Sequence, residues 1–463
     1  MTAIYLADIL NPVTPSETEF IPNGALAVTE DGKIAFCGRR ENMPSTVEGN
    51  KTDLGRLLIL PGLIDAHVHL PQYDMTAIES ENLLTWLEDH VFPSEARFAE
   101  RSTAEDISKR FFEGLKVNGT TSACVYTTVH KGSAEVAFKA ASRSGVRVIM
   151  GKVMTDIEVP RQHLEDPEES LNQSEQLCRK WHNADRGRIQ YSFIPRAAPA
   201  CSQKLMKGVS RLAKKYAAYI QSHLAESYED LQWLRETHGS TGYVELYHRC
   251  RILGPKTIMA HAIYLTEKQL EILANTNTAI AHCASSNLFL KSGIMDVREA
   301  IKLGVRVGLG SDVGGGPSLS MFREMAMASY ASKALWAFRK SVSEALSQLK
   351  SKITIRQKNG SVVYRRIIET LRASRQTMVI DPRFAFYLST LGGAGALGLE
   401  GRIGSLRKGK EADFIVVDPY IIDTKRGKEP IKDSDRLLSQ LIYRGDDRVV
   451  VKTFVRGREI FSR

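Results

Sequence analysis

The sequence has few cysteines and no long apolar run. Six cysteines are scattered along the chain without any C-x-x-C pair: Cys37, Cys124, Cys178, Cys201, Cys250 and Cys283. This scatter argues against a disulfide framework and favours reduced thiols in the cytoplasm. No apolar stretch approaches the roughly 20 residues that a membrane-spanning helix needs, and the segment MTAIYLADILNPVTPSE lacks the basic start and apolar centre of a signal peptide. We therefore expect a cytoplasmic globular protein without a membrane partner.

The sequence also lacks a general excess of positive charge, although its formal net charge is +10. The excess lies between Ala331 and Ile380, where eleven Lys or Arg stand against two Glu, so the rest of the chain is close to neutral. A single basic segment is typical of a solvated helical insertion, and its second interpretation is a contact surface. No zinc finger, RNA-recognition signature or basic zipper accompanies it, so nucleic acid is not an expected partner. Within the segment, Asn359-Gly360 predicts a small hairpin.

Through the middle of the 463-residue chain, apolar segments alternate with helix-like segments. The strand candidates lie near residues 57–66, 120–129, 146–155, 188–195, 216–222, 257–260, 278–281 and 305–310. Eight strands that alternate with helices predict an α/β protein with a closed parallel (β/α)8 barrel of the TIM type. Both chain ends consist of short strand-like runs joined by turns. We predict a composite β-sandwich domain at 1–58 and 405–463, and a barrel domain at 59–404 with the basic insertion at about 331–380.

A pair of histidines follows the first barrel strand, in the stretch LILPGLIDAHVHLPQYDM at 58–75. His67 and His69 are two residues apart, so their side chains project to the same side of a strand. A pair of surface histidines near a turn is the alternative interpretation. Polar residues also follow the later strands: Arg196, His223, Glu226, His261, His282, Ser286, Asn287 and Asp312. Because active sites of such barrels form at the carboxyl ends of the strands, we expect these side chains to converge.

Three imidazoles and one carboxylate of this set are typical ligands of a zinc-like divalent ion that keeps room for a water molecule. We predict His67, His69, His223 and Asp312 as the ligands of one ion per chain, with Zn²⁺ favoured and Fe²⁺ as the alternative. Such an ion lowers the pKa of its water from about 16 towards about 7, which gives a hydroxide at neutral pH. Asp312 can also accept the proton of that water and orient the nucleophile.

Glu226 and His261 are predicted to act beside the ion. Glu226 lies three residues after His223, where it can move a proton from the water to the leaving group. Its alternative role is that of a helix amino-terminal Glu stabilised by the helix dipole. His261 is expected to donate a hydrogen bond that polarises the substrate or the hydroxide, and its alternative role is that of a fifth ligand.

Taken together, the motifs resemble the amidohydrolase superfamily and, within it, the guanine deaminase family. The resemblance runs through nearly the whole chain and is carried by these segments in family order: PGLIDAHVH with PQY, NLLTWLEDHVFPSEARF, GKVMTD, PRAAPAC, SHLAES, AHCASSNLFLKSG, GSDVGGGPSLSMF and FYLSTLGGAGALGLEGRIGSLRKGKEADFIVVDP. It implies hydrolytic deamination of guanine to xanthine and ammonia, in purine catabolism or salvage, by a zinc-dependent homodimer. Dinuclear relatives carry a carboxylated lysine at the end of strand four, where this chain has Arg196, so a single metal ion is expected.

The same resemblance assigns the substrate-binding residues. Gln72 and Arg196 are expected to bind the purine edge, since Arg pairs in a bidentate way with the O6 and N7 acceptors of guanine. Ala197, His223 and Glu226 complete the predicted substrate site. The family usually has an aromatic residue at the position of Ala197, whose stacking contributes about 1 kcal/mol.

The departure at Ala197 leaves a second hypothesis open. It is a related amidohydrolase that deaminates or dechlorinates another N-heterocycle, such as 8-oxoguanine, a pterin or a triazine. A catalytically silent scaffold on the same fold is the third hypothesis, and such relatives usually lose metal ligands, all of which this sequence retains together with Glu226.

Overall fold

A computed structural model describes residues 2–352, 379–422 and 433–463 of the chain. The predicted hairpin at Asn359-Gly360 lies outside the described residues, together with the rest of 353–378. Within the described ranges, no helix is both long enough and apolar enough to cross a membrane.

Strands and helices alternate along most of the chain. The strands are β1 (Thr2–Thr14), β2 (Glu17–Val28), β3 (Ile34–Arg39), β4 (Gly49–Pro61), β5 (Leu63–His69), β6 (Thr120–Tyr126), β7 (Arg147–Gly151), β8 (Val153–Met154), β9 (Ile189–Pro195), β10 (Tyr219–Leu224), β11 (Thr257–His261), β12 (Ala279–His282), β13 (Arg306–Leu309), β14 (Phe414–Val417), β15 (Val450–Val455) and β16 (Arg458–Ser462).

The helices connect these strands and cover the outside of the barrel. They are α1 (Leu83–Trp86), α2 (Phe92–Ala96), α3 (Arg101–Val117), α4 (Lys131–Ser144), α5 (Pro167–Trp181), α6 (Ala184–Gly187), α7 (Gln203–Tyr216), α8 (Tyr228–His238), α9 (Tyr243–Arg249), α10 (Glu267–Asn275), α11 (Ala284–Phe289), α12 (Val297–Lys302) and α13 (Met321–Lys352), with later helices at Pro382–Leu388, Leu391–Ala396 and Ser434–Arg444. A turn of 3₁₀-helix at Leu70–Met75 follows β5 directly.

Eight parallel strands among the described residues form the barrel, in the order β5-β6-β7-β9-β10-β11-β12-β13, and the short strand β8 pairs with β9. Every residue of β5, β6, β7 and β9 is buried. This is expected of parallel strands that pack against side chains in the barrel interior and against helices outside. The predicted (β/α)8 barrel is confirmed.

Backbone hydrogen bonds close the barrel between its last and first strands. The Asp312 N–H donates to the His67 carbonyl oxygen over 2.8 Å, and the His69 N–H donates to the Val313 carbonyl oxygen over 2.8 Å. Two residues before His67, the Asp65 carboxylate accepts a hydrogen bond of 2.9 Å from the N–H of Ser311. The seam of the barrel therefore runs through the segments that carry His67, His69 and Asp312.

The two chain ends build a separate sheet of seven strands, in the order β16-β15-β14-β4-β1-β2-β3. Its neighbouring strands are antiparallel except for β1 and β4, which are parallel. A barrel with a separate sheet contributed by both chain ends confirms the predicted fold class.

Gly62 marks the point where the chain passes from one sheet to the other. The apolar run predicted as one strand at 57–66 is divided there, because β4 ends at Pro61 and β5 begins at Leu63. A Cβ atom at Gly62 would lie 2.1 Å from Thr121 Oγ1, so the site leaves no space for a side chain. The prediction of one continuous strand was wrong, since an apolar run does not reveal which sheet each residue joins. We propose that Gly62 is the boundary between the two predicted domains.

Helix α13 leads from the barrel into the basic insertion. Phe322 and Met325 in its first turns are buried, whereas Tyr330 and Phe338 are exposed. Because α13 extends to Lys352, the described part of the insertion, 331–352, is helical, as the composition predicts. Its interpretation as a contact surface stays a prediction.

Candidate active site

Imidazole nitrogens and a carboxylate oxygen converge at the carboxyl end of the barrel. His69 Nε2 lies 3.1 Å from His67 Nε2 and 3.2 Å from His223 Nε2. Asp312 Oδ1 lies 3.1 Å from His67 Nε2 and 3.3 Å from His69 Nε2. One ligand atom from each of His67, His223, His261 and Asp312 also lies within 4.8 Å of the others. The four predicted ligands thus meet around one point. His67 and His69 are both buried, so their interpretation as surface histidines was wrong.

Contacts behind the rings fix the orientation of two of the imidazoles. His223 Nδ1 lies 2.6 Å from the Arg196 carbonyl oxygen. Because a carbonyl oxygen only accepts hydrogen bonds, Nδ1 carries the proton and Nε2 presents a lone pair to the cluster. His261 Nδ1 lies 2.9 Å from Asn287 Oδ1, which directs the lone pair of His261 Nε2 in the same way. Arg196 and Asn287, both predicted at strand ends, therefore also support these two rings.

Glu226 and His261 face each other at the edge of the cluster. Glu226 Oε2 lies 3.5 Å from His261 Nε2, and Asp312 Oδ2 lies 3.8 Å from the same nitrogen. Among the described residues, neither Glu226 Oε1 nor His261 Nε2 has a hydrogen-bond partner. Buried polar atoms in proteins normally have one, so these two atoms are available to a ligand.

Glu226 is not the capping residue of α8, the helix that follows β10. α8 begins at Tyr228, and its N-cap is Ser227, whose hydroxyl accepts a hydrogen bond from the backbone of Asp230. Glu226 itself is outside the helix, and its backbone N–H donates to the Asp230 carboxylate over 3.0 Å. The position of Glu226 therefore favours the predicted proton-transfer role over a helix amino-terminal role.

The pKa values of the two carboxyl groups of the site are shifted in opposite directions. Burial, together with the charges of Asp312 and Asp230, raises the pKa of Glu226 well above its ordinary value. Burial alone would also raise the pKa of Asp312, but hydrogen bonds from His67 and His69 outweigh it and hold that pKa well below its ordinary value. A carboxyl with a raised pKa beside one with a lowered pKa favours a proton donor and a proton acceptor in one site.

The cluster fits a divalent transition-metal ion. Burial lowers the pKa of His67, of His69 (to about 4) and of His223, so all three rings are neutral as metal ligands must be. Zn²⁺ with ligand bonds of about 2.0–2.1 Å in tetrahedral geometry holds neighbouring ligand atoms roughly 3.3 Å apart, which matches the 3.1–3.3 Å spacing of the donor atoms around His69. Imidazole nitrogen and carboxylate oxygen together suit zinc and iron.

Three residues at the site, or directly beside a site residue, have left-handed backbone conformations. Ala225, His261 and Asp312 adopt positive φ angles of 47°, 69° and 48°. Such conformations cost non-glycine residues energy and persist mainly where a functional geometry requires them. Each of the three is a predicted catalytic residue or the direct neighbour of one.

A buried carboxylate, Glu95, joins the two predicted purine-binding residues. Its Oε1 accepts a hydrogen bond of 2.8 Å from Gln72 Nε2, and its Oε2 accepts one of 2.7 Å from Arg196 Nη1. Gln72 Oε1 also accepts from the Gly314 N–H over 3.3 Å. Burial alone would raise the pKa of Glu95, but the positive charge of Arg196, together with smaller contributions that include the hydrogen bond from Gln72, lowers that pKa. Glu95 is therefore ionised and holds Gln72 and Arg196 in fixed positions.

A small cavity of about 40 Å³ lies over the donor cluster. The cavity wall combines polar residues (His69, Gln72, Arg196, His223, Glu226, Asp230, His261 and Asp312) with apolar ones (Leu83, Leu84, Trp86, Leu87, Ala197, Trp233 and Leu290). The predicted substrate residues all line this one cavity, so the structure brings them together.

The sequence pattern did not indicate Glu95 or the apolar wall. Glu95 lies in the segment NLLTWLEDHVFPSEARF, which the family resemblance identified only as a whole. One signal was nevertheless available, because a buried Arg196 requires a carboxylate partner. Trp86 and Trp233 join the cavity from separate helices, and no spacing in the sequence connects them.

Comparisons with known proteins show the family of the chain. The chain matches the model of the amidohydrolase family over residues 58–356 and 356–460. It is 34% identical over 456 residues to guanine deaminase from Escherichia coli (strain K12), which covers 97% of this chain and 93% of that protein. It is 31% identical over 457 residues to guanine deaminase from Mus musculus, with coverage of 96% and 93%. A solved guanine deaminase from C. acetobutylicum, with guanine bound in its active site, has a TM-score of 0.87 at 29% identity over 100% of both chains. This chain belongs to the amidohydrolase family.

Proposed function

We propose that this chain hydrolyses guanine to xanthine and ammonia, with one divalent ion, Zn²⁺ or alternatively Fe²⁺, held by His67, His69, His223 and Asp312. The proposal is carried by one observation, a cavity that combines a divalent-ion donor cluster with the buried Glu226 and with a fixed Arg196. Guanine as the substrate is supported by relatives named guanine deaminase that align over nearly the whole chain.

Deamination requires that a water oxygen bonds to C2 of guanine and that the bond from C2 to the amino nitrogen breaks. When bound, a divalent ion supplies a water molecule of lowered pKa at neutral pH. Asp312, which is ionised, accepts a proton from the attacking water. Glu226, taken in its protonated form, donates its proton to the purine ring, receives the proton taken up by Asp312, and passes it to the departing amine. As the bond from C2 to the amino nitrogen breaks, the proton of the new C2 hydroxyl passes to Glu226, so xanthine and ammonia are released and both carboxyl groups return to their starting states.

His261 supports this transfer from the side of the cavity. Its Nε2 lies between Glu226 Oε2 at 3.5 Å and Asp312 Oδ2 at 3.8 Å. Asn287 fixes the ring from behind. We infer that His261 orients the attacking oxygen and the proton path between the two carboxyls.

Arg196 and Gln72 supply the recognition of the purine edge. Among the described residues, Glu95 alone accepts a hydrogen bond from the Arg196 guanidinium. A guanidinium has five N–H donors, so donors remain that can pair with O6 and N7 of guanine. Glu95 keeps this guanidinium in place before the substrate arrives.

Ammonia release from a panel of bases tests the proposal. We expect turnover of guanine in preference to 8-oxoguanine, adenine, cytosine and melamine. We expect Glu226→Gln to abolish turnover while the metal content stays unchanged, because Glu226 transfers protons without being a predicted ligand. Glu229→Gln, at an exposed position on α8, is the matched control and should retain full activity.

Two outcomes would replace the proposal. Turnover of another ring with guanine inert would favour a related N-heterocycle hydrolase, a second candidate supported by the small side chain of Ala197 in the cavity wall. A purified chain that contains neither zinc nor iron and stays inactive after zinc is added would favour the silent scaffold. The cytoplasmic location, the homodimer and the role in purine catabolism or salvage stay predictions.

A further inference from the structure

A second cavity lies at the opposite end of the barrel, where β10 and β11 begin, and its volume is about 740 Å³. One wall is α7, and the other is the segment 249–257 between α9 and β11. Among the described residues, none lines both this cavity and the one over the metal-ligand cluster. It is therefore a separate site, which we call the basic cavity.

Six basic side chains line the basic cavity, and among the described residues no acidic side chain does. They are Lys207, Arg211 and Lys214 from α7, and Arg249, Arg251 and Lys256 from the opposite wall. Within the part of the chain that the structure describes, none of the six forms an ion pair with a carboxylate. The Lys256 ammonium donates to the Ala217 carbonyl oxygen over 2.5 Å, which anchors it at the cavity edge.

A third cavity, of about 590 Å³ between α3 and α4, provides an internal comparison. Five basic residues line it, and three of them are paired with carboxylates. Arg101 lies 2.7 Å from Glu105, Lys116 lies 2.5 Å from Glu113, and Lys139 lies 3.5 Å from Glu135. The basic cavity differs in that none of its six basic side chains has such a partner among the described residues.

The two basic walls come close to each other. Burial raises the pKa of the Cys250 thiol in the cavity, and both Lys207 and Arg249 are near enough to oppose that rise. Walls of like charge repel each other, and an anion placed between them removes the repulsion. The favourable position of a cation at a helix carboxyl end explains Lys214 on α7. This effect does not account for the position of Lys207, near the start of that helix, or for the basic residues of the second wall.

The basic cavity also has a buried apolar lining, which we call its floor. It consists of Ala213, Ala218, Ile220 and Ile252. A ligand that fits both features has several negative charges for the walls and a flat, weakly polar part for the floor. The concave shape, with basic residues contributed by two separate segments, favours a small ligand over a nucleic-acid strand, which requires an open stripe of charge.

We propose that the basic cavity binds a nucleoside di- or triphosphate, with its phosphates between the basic walls and its base and ribose on the apolar floor. Arg and Lys are the usual partners of phosphate oxygens in proteins. The volume of about 740 Å³ lies within the range of about 300–1,000 Å³ for small-molecule sites. This inference is independent of the reaction at the other end of the barrel.

Isothermal titration calorimetry of the full chain with ATP, AMP and tripolyphosphate tests the proposal. We expect saturable binding of one ATP per chain that weakens as KCl is raised. AMP and tripolyphosphate should each bind at least tenfold more weakly, because one lacks the charge and the other lacks the base. ATP binding should be unchanged in the Arg196→Ala chain, since Arg196 lies in the other cavity.

A matched pair of triple variants locates the site. Lys207→Ala with Arg211→Ala and Arg249→Ala should raise the Kd for ATP at least tenfold. Lys109→Ala with Lys139→Ala and Arg143→Ala removes the same charge from the third cavity and should change that Kd less than twofold. Both variants should keep the wild-type melting temperature, because the altered side chains lie at the surface.

Four results would overturn the proposal. They are the absence of saturable ATP binding, an equal loss in both triple variants, tripolyphosphate binding as tight as ATP, and loss of ATP binding in Arg196→Ala. An equal loss in both triple variants would identify a net-charge effect. Tight binding of tripolyphosphate would identify a site for inorganic polyanions, and loss of ATP binding in Arg196→Ala would identify binding in the catalytic cavity.

Discussion

Replacing Glu95 by Gln removes one negative charge from the candidate active site and preserves the shape of the side chain. Glu95 is 2% exposed and Arg196 is 6% exposed, so the variant leaves a buried guanidinium whose carboxylate partner at 2.7 Å is gone. Removal of one partner from a buried ion pair costs about 3–5 kcal/mol. We expect a loss of about 3 kcal/mol in the free energy of unfolding, since the Gln oxygen still accepts one hydrogen bond.

The same change should impair catalysis, because Glu95 holds both Arg196 and Gln72. Each loss of about 1.4 kcal/mol in positioning lowers kcat/KM tenfold, so we expect a decrease of about 10- to 100-fold for guanine. Urea denaturation measures the first effect and initial rates of ammonia release measure the second.

An exposed ion pair provides the matched control for Glu95→Gln. Glu168 lies 2.8 Å from Lys204, and their side chains are 76% and 61% exposed. Exposed pairs contribute about 0–1 kcal/mol, so Glu168→Gln should leave both measurements nearly unchanged. If Glu95→Gln kept kcat/KM within twofold of wild type, or behaved like Glu168→Gln, the inferred role of Glu95 would be refuted.

Three further changes test other features. Removal of metal by a chelator should abolish deamination and lower Tm, and added Zn²⁺ should restore both, since a ligand that binds the folded state stabilises it; full activity in a chain shown to be metal-free would contradict this. Burial raises the pKa of Glu324 from 4.5 to about 8, so its contribution to stability is present below about pH 4.5 and is lost as pH rises through about 8. Between pH 5 and pH 9, the free energy of unfolding measured by urea titration should therefore fall less in Glu324→Gln than in the wild type. An identical fall in both proteins would contradict a raised pKa of Glu324. Ala197→Phe should lower KM for guanine about fivefold, through about 1 kcal/mol of ring stacking, and an unchanged KM would show that no stacking forms.

The metal-ligand candidates could be predicted from sequence because they depend on local rules. His67 and His69 follow an apolar run at the strand period of two, and His223 and Asp312 each end a later apolar run. Once the barrel is predicted, its topology requires the carboxyl ends of the strands to converge, whatever the intervening sequence is.

Other features depend on tertiary packing and left no local signal. Glu95 reaches Arg196 across 101 residues of sequence, and its place between two recognition residues follows from the packing of α2 over the cavity. The positive φ of Ala225 occurs at a residue type that rarely adopts it. At Gly62 the chain passes from one sheet to the other within a continuous apolar run. The residues before and after Gly62 are similarly apolar, so composition does not reveal the change.

The seam of the barrel has a consequence for biosynthesis. Asp65 and Ser311 bond across it at a separation of 246 residues, and closing so long a loop is slow and entropically costly. A ribosome delivers the first strand long before the last one, so a nascent chain exposes His67 and His69 without Asp312. With the ligand set proposed above, all the donors come together only after barrel closure, and we expect truncated chains that end before the eighth barrel strand not to retain zinc.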